Sequence, residues 1–161
     1  MIHFSRRLLL IAGLLLAPLG GAALAQDTDA VLLEVVTPER TELFDRARLE
    51  ALPQHALTTH TTVTDGPQDF TGPLMRDLLA EAGVEASSVL AIALNDYEID
   101  LPVEDFTRYD VIAALTMNGA AMTPRDKGPI WIVYPRDQHR ELQDINFDYR
   151  WVWQLTRIEA Q

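Results

Sequence analysis

The chain has 161 residues, of which 24 are acidic and 13 basic, so its formal net charge is −11 at pH 7. This acidity excludes a basic surface for nucleic acid or anionic lipid. The chain contains no cysteine, so disulfides and thiolate chemistry are excluded and packing alone must hold the fold.

The first 25 residues have the pattern of an export signal. Arg6-Arg7 precede an apolar run from Leu8 to Leu19, and Ala23-Leu24-Ala25 is typical of a cleavage site. The apolar run is too short to span a bilayer. We therefore expect a periplasmic protein that begins at Gln26 and does not insert into the membrane. The pattern fits both general secretion and twin-arginine export, and a retained anchor is the other alternative.

Cleavage would leave residues 26–161, which is 136 residues (161 − 25) and suits one domain. Loss of Arg6 and Arg7 leaves 11 basic side chains (13 − 2) against 24 acidic ones, a formal charge of −13. The only serines in that part are Ser87 and Ser88. A serine nucleophile is therefore not expected.

Short apolar runs alternate with short helical patterns, which predicts an α+β fold. The run Val31–Val36 predicts a first strand. Residues 41–51 predict a short helix that ends before Pro53. Residues 56–64 are rich in β-branched threonine and predict a strand that ends at the turn Asp65-Gly66-Pro67.

The clearest helical pattern follows this turn. Thr71 is placed to cap the helix, and Pro73 suits its first turn. Leu74, Leu78 and Leu79 would share one apolar face. We expect Gly83 to end the helix.

The second half contains further apolar runs separated by polar turns. The runs that predict strands are residues 89–94, 97–101, 111–117, 130–134 and 151–158. Asn95-Asp96 and Asn118-Gly119 are turn dipeptides between or after these runs. The polar stretch from Arg136 to Asp148 is long for a connector. Such a loop can line a site or be a mobile surface segment.

Several short motifs occur in the order and spacing of a known family. They are Phe70-Thr71-Gly72-Pro73-Leu74 with Asp77-Leu78-Leu79, then Asn95-Asp96-Tyr97, Met117-Asn118-Gly119, Gly128-Pro129-Ile130-Trp131-Ile132-Val133-Tyr134-Pro135, and Arg150-Trp151-Val152. In this arrangement the chain resembles the sulfite oxidase-like molybdopterin-binding oxidoreductases. The resemblance implies a mixed, β-rich fold with short flanking helices.

The chain also departs from that family. The cysteine that ligates molybdenum should lie within residues 56–65, where this chain has His60, Thr61 and Thr62. Trp131 stands at a position usually held by arginine, and Arg125 and Lys127 lie near one often held by histidine. A hydroxyl cannot replace a thiolate as a soft ligand. We therefore expect no tightly bound metal and no catalytic residue.

Cysteine-less chains of this kind resemble periplasmic pterin-binding regulators, which report a free pterin to a membrane-bound cyclic-di-GMP enzyme. The resemblance implies a non-catalytic protein whose partners are a pterin and the periplasmic domain of an inner-membrane signalling protein. The alternative is a molybdopterin-dependent oxidoreductase, or an accessory subunit, with an atypical cysteine-free site. The expected ligand-binding residues are Thr62, Asp96, Tyr97, Asn118, Trp131, Tyr134, Arg136, Tyr149, Arg150 and Trp151.

Aromatic residues suit a pterin because it is a flat heteroaromatic ring with a polar edge. Trp131 and Trp151 also fit an ordinary core, since each lies in an apolar run. The histidines lack the spacing of a zinc site. The acidic residues after Arg140 lack the pattern of a calcium loop.

Overall fold

The computed structural model describes residues 30–161, so the predicted signal peptide lies outside the described part. The strands are β1 (Val31–Val36), β2 (Thr41–Asp45), β3 (Gln54–His60), β4 (Pro67–Pro73), β5 (Ser88–Ala93), β6 (Glu98–Pro102), β7 (Ile112–Ala114), β8 (Thr116–Met117), β9 (Ala120–Ala121), β10 (Trp131–Val133) and β11 (Leu155–Ala160). The helices are α1 (Arg46–Ala51), α2 (Met75–Glu81), α3 (Val103–Arg108) and α4 (Ile145–Asp148), with 3-10 helices η1 (Arg136–Gln138) and η2 (Arg140–Gln143). Within residues 30–161, no helix is long and apolar enough to cross a membrane.

The larger sheet has five strands in the order β2-β1-β11-β5-β6. The β1–β11 pair is parallel and the other pairs are antiparallel. Alternate residues of β1 and β5 are buried, because successive side chains of a strand point to opposite faces of the sheet. The predicted strands at residues 31–36 and 89–94 are therefore confirmed.

A second sheet has the order β3-β4-β8-β9, and β7 pairs with β10. An isolated bridge between Leu74 and Ile112 connects the end of β4 to β7. Gly72 lies so close to this junction that a Cβ there would collide with the carbonyl oxygen of Ala113. The close approach explains why glycine occupies this position in β4. The predicted α+β, β-rich architecture is confirmed.

Two predictions for the first half were wrong. Residues 41–45 form β2 rather than a helix, because they pair with β1, and α1 begins only after Asp45. The Asp45 Oδ1 caps α1 by accepting the Arg48 N–H at 2.7 Å. Thr71 lies inside β4 and accepts the Leu115 N–H with its carbonyl oxygen, so Leu74 is the residue that precedes α2.

The later boundaries also differ. The strand predicted at residues 56–64 begins at Gln54 and ends at His60. The run 111–117 is divided at Leu115, whose N–H bonds Thr71 of β4. The run 151–158 becomes a strand only at Leu155, since the Val152 carbonyl instead accepts the Ile132 N–H. The Arg136–Asp148 stretch is ordered as η1, η2 and α4.

Candidate functional site

A small aromatic cleft lies between the β5–β6 turn and the chain that follows α4. Its volume is about 210 Å³. It is smaller than the roughly 300–1,000 Å³ of sites for drug-sized ligands, so a one- or two-ring ligand fits it best. Wider depressions near Arg40 and Arg140 have no aromatic lining. The cleft is lined by Asn95, Tyr97, Asp148, Tyr149, Trp151 and Trp153.

The β5–β6 turn positions one wall of the cleft. Asp96 adopts a left-handed conformation (φ 61°), which aspartate tolerates better than most residues. The turn is closed by the Ala93 N–H, which donates to the Tyr97 carbonyl at 2.9 Å. The Tyr97 hydroxyl then donates to the Tyr149 carbonyl across the cleft at 2.8 Å. Partial burial is the main cause that raises the pKa of Tyr97, and the nearby Tyr149 raises it further. Tyr97 therefore remains a neutral donor.

The opposite wall carries the carboxylate of the site. Asp144 caps α4 by accepting the Asn146 N–H at 2.8 Å, which places Asp148 at the end of that helix. The Asp148 Oδ1 accepts from the Arg136 guanidinium at 2.9 Å. Its second oxygen forms no hydrogen bond within residues 30–161. The cleft therefore offers one fixed carboxylate with a free acceptor oxygen.

A cluster of edge-to-face aromatic rings forms the floor. The Trp131 ring lies 6.2 Å from Trp151, 6.4 Å from Trp153 and 5.3 Å from Phe70, measured between ring centroids. Trp131 is fully buried, whereas Trp151 reaches the cleft. The indole Nε1 atoms of Trp131 and Trp151 are buried without an acceptor among the described residues.

A buried polar network supports the floor from behind. The Asp105 Oδ2 accepts from the Tyr134 hydroxyl at 3.0 Å and from the Arg150 guanidinium at 2.5 Å. The same guanidinium lies 4.4 Å from the centroid of the Phe147 ring. Burial, reinforced by Asp105, raises the pKa of Tyr134 well above its ordinary value. Burial is the largest single effect on Arg150 and lowers its pKa, but the hydrogen bond and charge of Asp105, with smaller contributions from Tyr134 and Tyr149, together outweigh burial and leave the pKa raised.

Sequence analysis missed Asp105. It lies in the short helix α3 beside Phe106, and both side chains are buried. A buried carboxylate is costly unless it is paired. No local pattern in the sequence distinguishes Asp105 from its exposed neighbour Glu104, so its burial and its partners are visible only in the structure.

The ten predicted ligand-binding residues fall into three groups. The cleft brings together Tyr97, Tyr149 and Trp151. Directly behind or beside it are Trp131, Tyr134, Arg136 and Arg150. The structure does not bring Thr62, Asp96 or Asn118 into the cleft lining.

The three outlying residues have other surroundings. Asp96 is exposed at the tip of its turn, and Thr62 is exposed between β3 and β4. Asn118, in the β8–β9 turn, accepts the Asp69 N–H and donates to Gln68. These contacts place Asn118 beside the end of the β3–β4 hairpin, on the second sheet.

Sequence and structure comparisons identify the family. The sequence matches the model described as "Oxidoreductase molybdopterin binding domain" over residues 27–139, more than half of the chain. The chain belongs to this molybdopterin-binding domain family. The matched range ends before α4, so the family pattern contains the turn wall of the cleft but not the Asp148 wall or the Trp151 floor.

A solved structure shares the fold. It is the sulfane dehydrogenase SoxCD from Paracoccus pantotrophus, with a TM-score of 0.63 and 20% sequence identity. The match covers 80% of this chain and 37% of the SoxCD chain, so the present chain spans well under half of that protein. A search of the curated proteins found no match. The predicted sulfite oxidase-like fold of this molybdopterin-binding domain is confirmed.

The donor set does not fit a molybdenum centre. The chain has no cysteine, and the segment where the ligand was expected offers His60, Thr61 and Thr62. The His60 Nδ1 is already 2.8 Å from the Asp137 carboxylate. Within residues 30–161, no three His, Asp or Glu side chains are grouped as metal ligands.

Proposed function

We propose that this protein is an exported, non-catalytic pterin-binding protein of the periplasm. The observation that carries the proposal is an aromatic cleft with one available carboxylate, in a molybdopterin-binding domain that has no cysteine. The family supplies a frame for a pterin ring, while the missing thiolate removes the ligand that redox chemistry at molybdenum requires.

The cleft matches the chemistry of a pterin. A pterin has two flat fused rings, which stack on or against aromatic side chains such as Tyr149 and Trp151. Its amino and ring N–H groups form a donor edge, for which the free oxygen of Asp148 is a suitable acceptor. The Asn95 Oδ1 accepts the Tyr97 N–H at 3.3 Å, which leaves the Asn95 amide group to donate to the ring carbonyl.

Fluorescence titration with neopterin tests this site. The three tryptophans of the chain all lie in or beside the cleft, so a bound pterin should quench their emission saturably. Tyr149→Ala removes a half-exposed lining ring and should weaken binding about tenfold, equivalent to roughly 1.4 kcal/mol. Ile145→Ala is the matched control because Ile145 is exposed and does not line the cleft.

Linear quenching that never saturates, equal to that of free tryptophan, would rule out the site. Equal affinities for the Tyr149→Ala and Ile145→Ala variants would place any pterin site elsewhere. Asp148→Asn should also weaken binding, because the amide provides only one acceptor oxygen and loses the charge that favours the donor edge.

We further propose that ligand occupancy is reported to an inner-membrane signalling protein, such as a cyclic-di-GMP enzyme. The segment Arg136–Asp148 supplies one cleft wall through Asp148 and has an exposed outer side that includes Glu141 and Ile145. A ligand that fixes Asp148 would favour one arrangement of this segment. If neopterin increases the affinity for the partner's periplasmic domain, that domain must increase the affinity for neopterin by the same factor. Identical neopterin affinities with and without that domain would exclude the signalling role but would not exclude the binding site.

The second candidate is a molybdopterin-dependent oxidoreductase or an accessory subunit of one. Family membership and the fold shared with SoxCD support it. Elemental analysis of natively purified protein separates the two functions. About one molybdenum per chain would favour the oxidoreductase, whereas traces with a co-purified pterin would favour the binding protein.

A further inference from the structure

The β3 strand presents a free backbone edge. It is the border strand of its sheet, and the His60 N–H, which points away from β4, donates to the Asp137 carboxylate at 3.0 Å. Backbone groups alternate in direction along a strand, so the Ala56 and Thr58 groups point outward too. No other backbone group within residues 30–161 pairs with those of Ala56 or Thr58, and both residues are exposed. This edge can accept another strand.

The edges of the five-stranded sheet are protected, whereas the β3 edge is not. The β2 strand carries Glu42 and Asp45, and the Arg48 guanidinium donates to its Leu43 carbonyl at 2.9 Å. The β6 strand carries two carboxylates and ends in proline. Charged residues and proline are the usual protection against strand addition. The seven residues of β3 include no proline and no Asp, Glu, Lys or Arg.

We propose that the β3 edge pairs with β3 of a second copy of this chain. The strands run antiparallel about a twofold axis at Leu57, the middle residue of Gln54–His60. Ala56 of each copy then lies opposite Thr58 of the other. Since both residues point their N–H and C=O groups outward, each opposing pair exchanges two backbone hydrogen bonds. In both copies the pairing stops before His60, because the His60 N–H already donates to the Asp137 carboxylate.

The distribution of charge over the strand edges makes β3 the edge at which a second copy can bind. Two copies repel because each carries a strong net negative charge, so they can associate only where carboxylates do not face each other. Pairing through β2 or β6 would oppose carboxylates, whereas pairing through β3 opposes alanine and threonine. The nearest carboxylate on β4, Asp69, already accepts from the Thr58 hydroxyl at 2.7 Å. A basic partner would instead gain from the acidic edges.

The interface of a single strand pair is small, so the dimer should be reversible and concentration-dependent. Sedimentation velocity on the purified protein, from about 1 µM to about 500 µM, measures its dissociation constant. Thr58→Pro removes an outward N–H and the side-chain bond to Asp69, but it removes no backbone bond to β4. It should raise the dimer dissociation constant by at least about tenfold. Thr58→Ala is the matched control, since it loses the hydroxyl bond to Asp69 but keeps the N–H, and it should dimerise like the original protein.

Ala56→Lys is the second variant, because it adds a protective charge to the edge without changing any backbone group, and it also should weaken the dimer. Hydrogen exchange should slow at the Ala56 and Thr58 amides as protein concentration rises. A monomer at every concentration, or a dimer that neither Thr58→Pro nor Ala56→Lys weakens, would overturn the proposal. So would a monomer whose β3 edge binds only a different protein. The test involves no pterin, so its outcome is independent of the proposed ligand.

Discussion

The Asp105–Arg150 pair makes the cleft floor sensitive to a single substitution. Arg150→Met keeps most of the side-chain volume but leaves the Asp105 carboxylate, whose side chain is 11% exposed, without its charged partner. Breaking a buried pair from one side costs 3–5 kcal/mol, and the 20% exposure of the Arg150 side chain argues for about 3 kcal/mol here. That is a large fraction of the roughly 5–15 kcal/mol by which such domains are stable.

Urea unfolding followed by tryptophan fluorescence measures this loss. The double variant Asp105→Asn/Arg150→Met removes both charges and keeps an acceptor for Tyr134, so it should recover about 2 kcal/mol of the loss. Arg157→Met is the control, because Arg157 forms only surface ion pairs with Glu34 and Glu159 and should cost no more than about 1 kcal/mol. If Arg150→Met cost no more stability than Arg157→Met, or if the double variant were less stable than Arg150→Met, the unpaired Asp105 charge would not be the cause of the loss.

Other predictions concern separate parts of the chain. Gly72→Ala should lower the free energy of unfolding in urea by at least about 2 kcal/mol, because the alanine Cβ would collide with the Ala113 carbonyl. A loss below about 0.5 kcal/mol would contradict this collision. Partial burial raises the pKa of Asp137, but hydrogen bonds from His60 outweigh it and leave the pKa below its ordinary value. The stability from this contact is therefore fully present above the pKa of Asp137 in the unfolded chain and is lost as the pH falls through its lowered pKa in the folded protein. An NMR titration of Asp137 measures this lowered pKa, and His60→Ala should raise it. An unchanged pKa in the variant would exclude the His60 side chain as the cause. N-terminal sequencing of the exported protein should begin at Gln26, and an intact leader would contradict the predicted cleavage.

Local patterns in the sequence determined the features that depend on neighbouring residues. The apolar run Val31–Val36 predicts β1, and Asn118-Gly119 predicts the β8–β9 turn, where both residues have positive φ. These features follow from strand propensity and backbone preference, which act over a few residues. The absence of cysteine likewise needed only the sequence.

Tertiary contacts decided the rest. Residues 41–45 carry a helical pattern but form β2, because β1 offers them a complete set of strand partners. The sequence at Trp151 and Val152 predicts a strand, but the Val152 carbonyl makes only an isolated bond to Ile132 of β10, and the largely buried Trp151 lines the cleft. Asp105 joins the site through Arg150, which is 45 residues away. A local pattern cannot specify such a pairing, because the energy that selects it arises only when distant side chains leave water together.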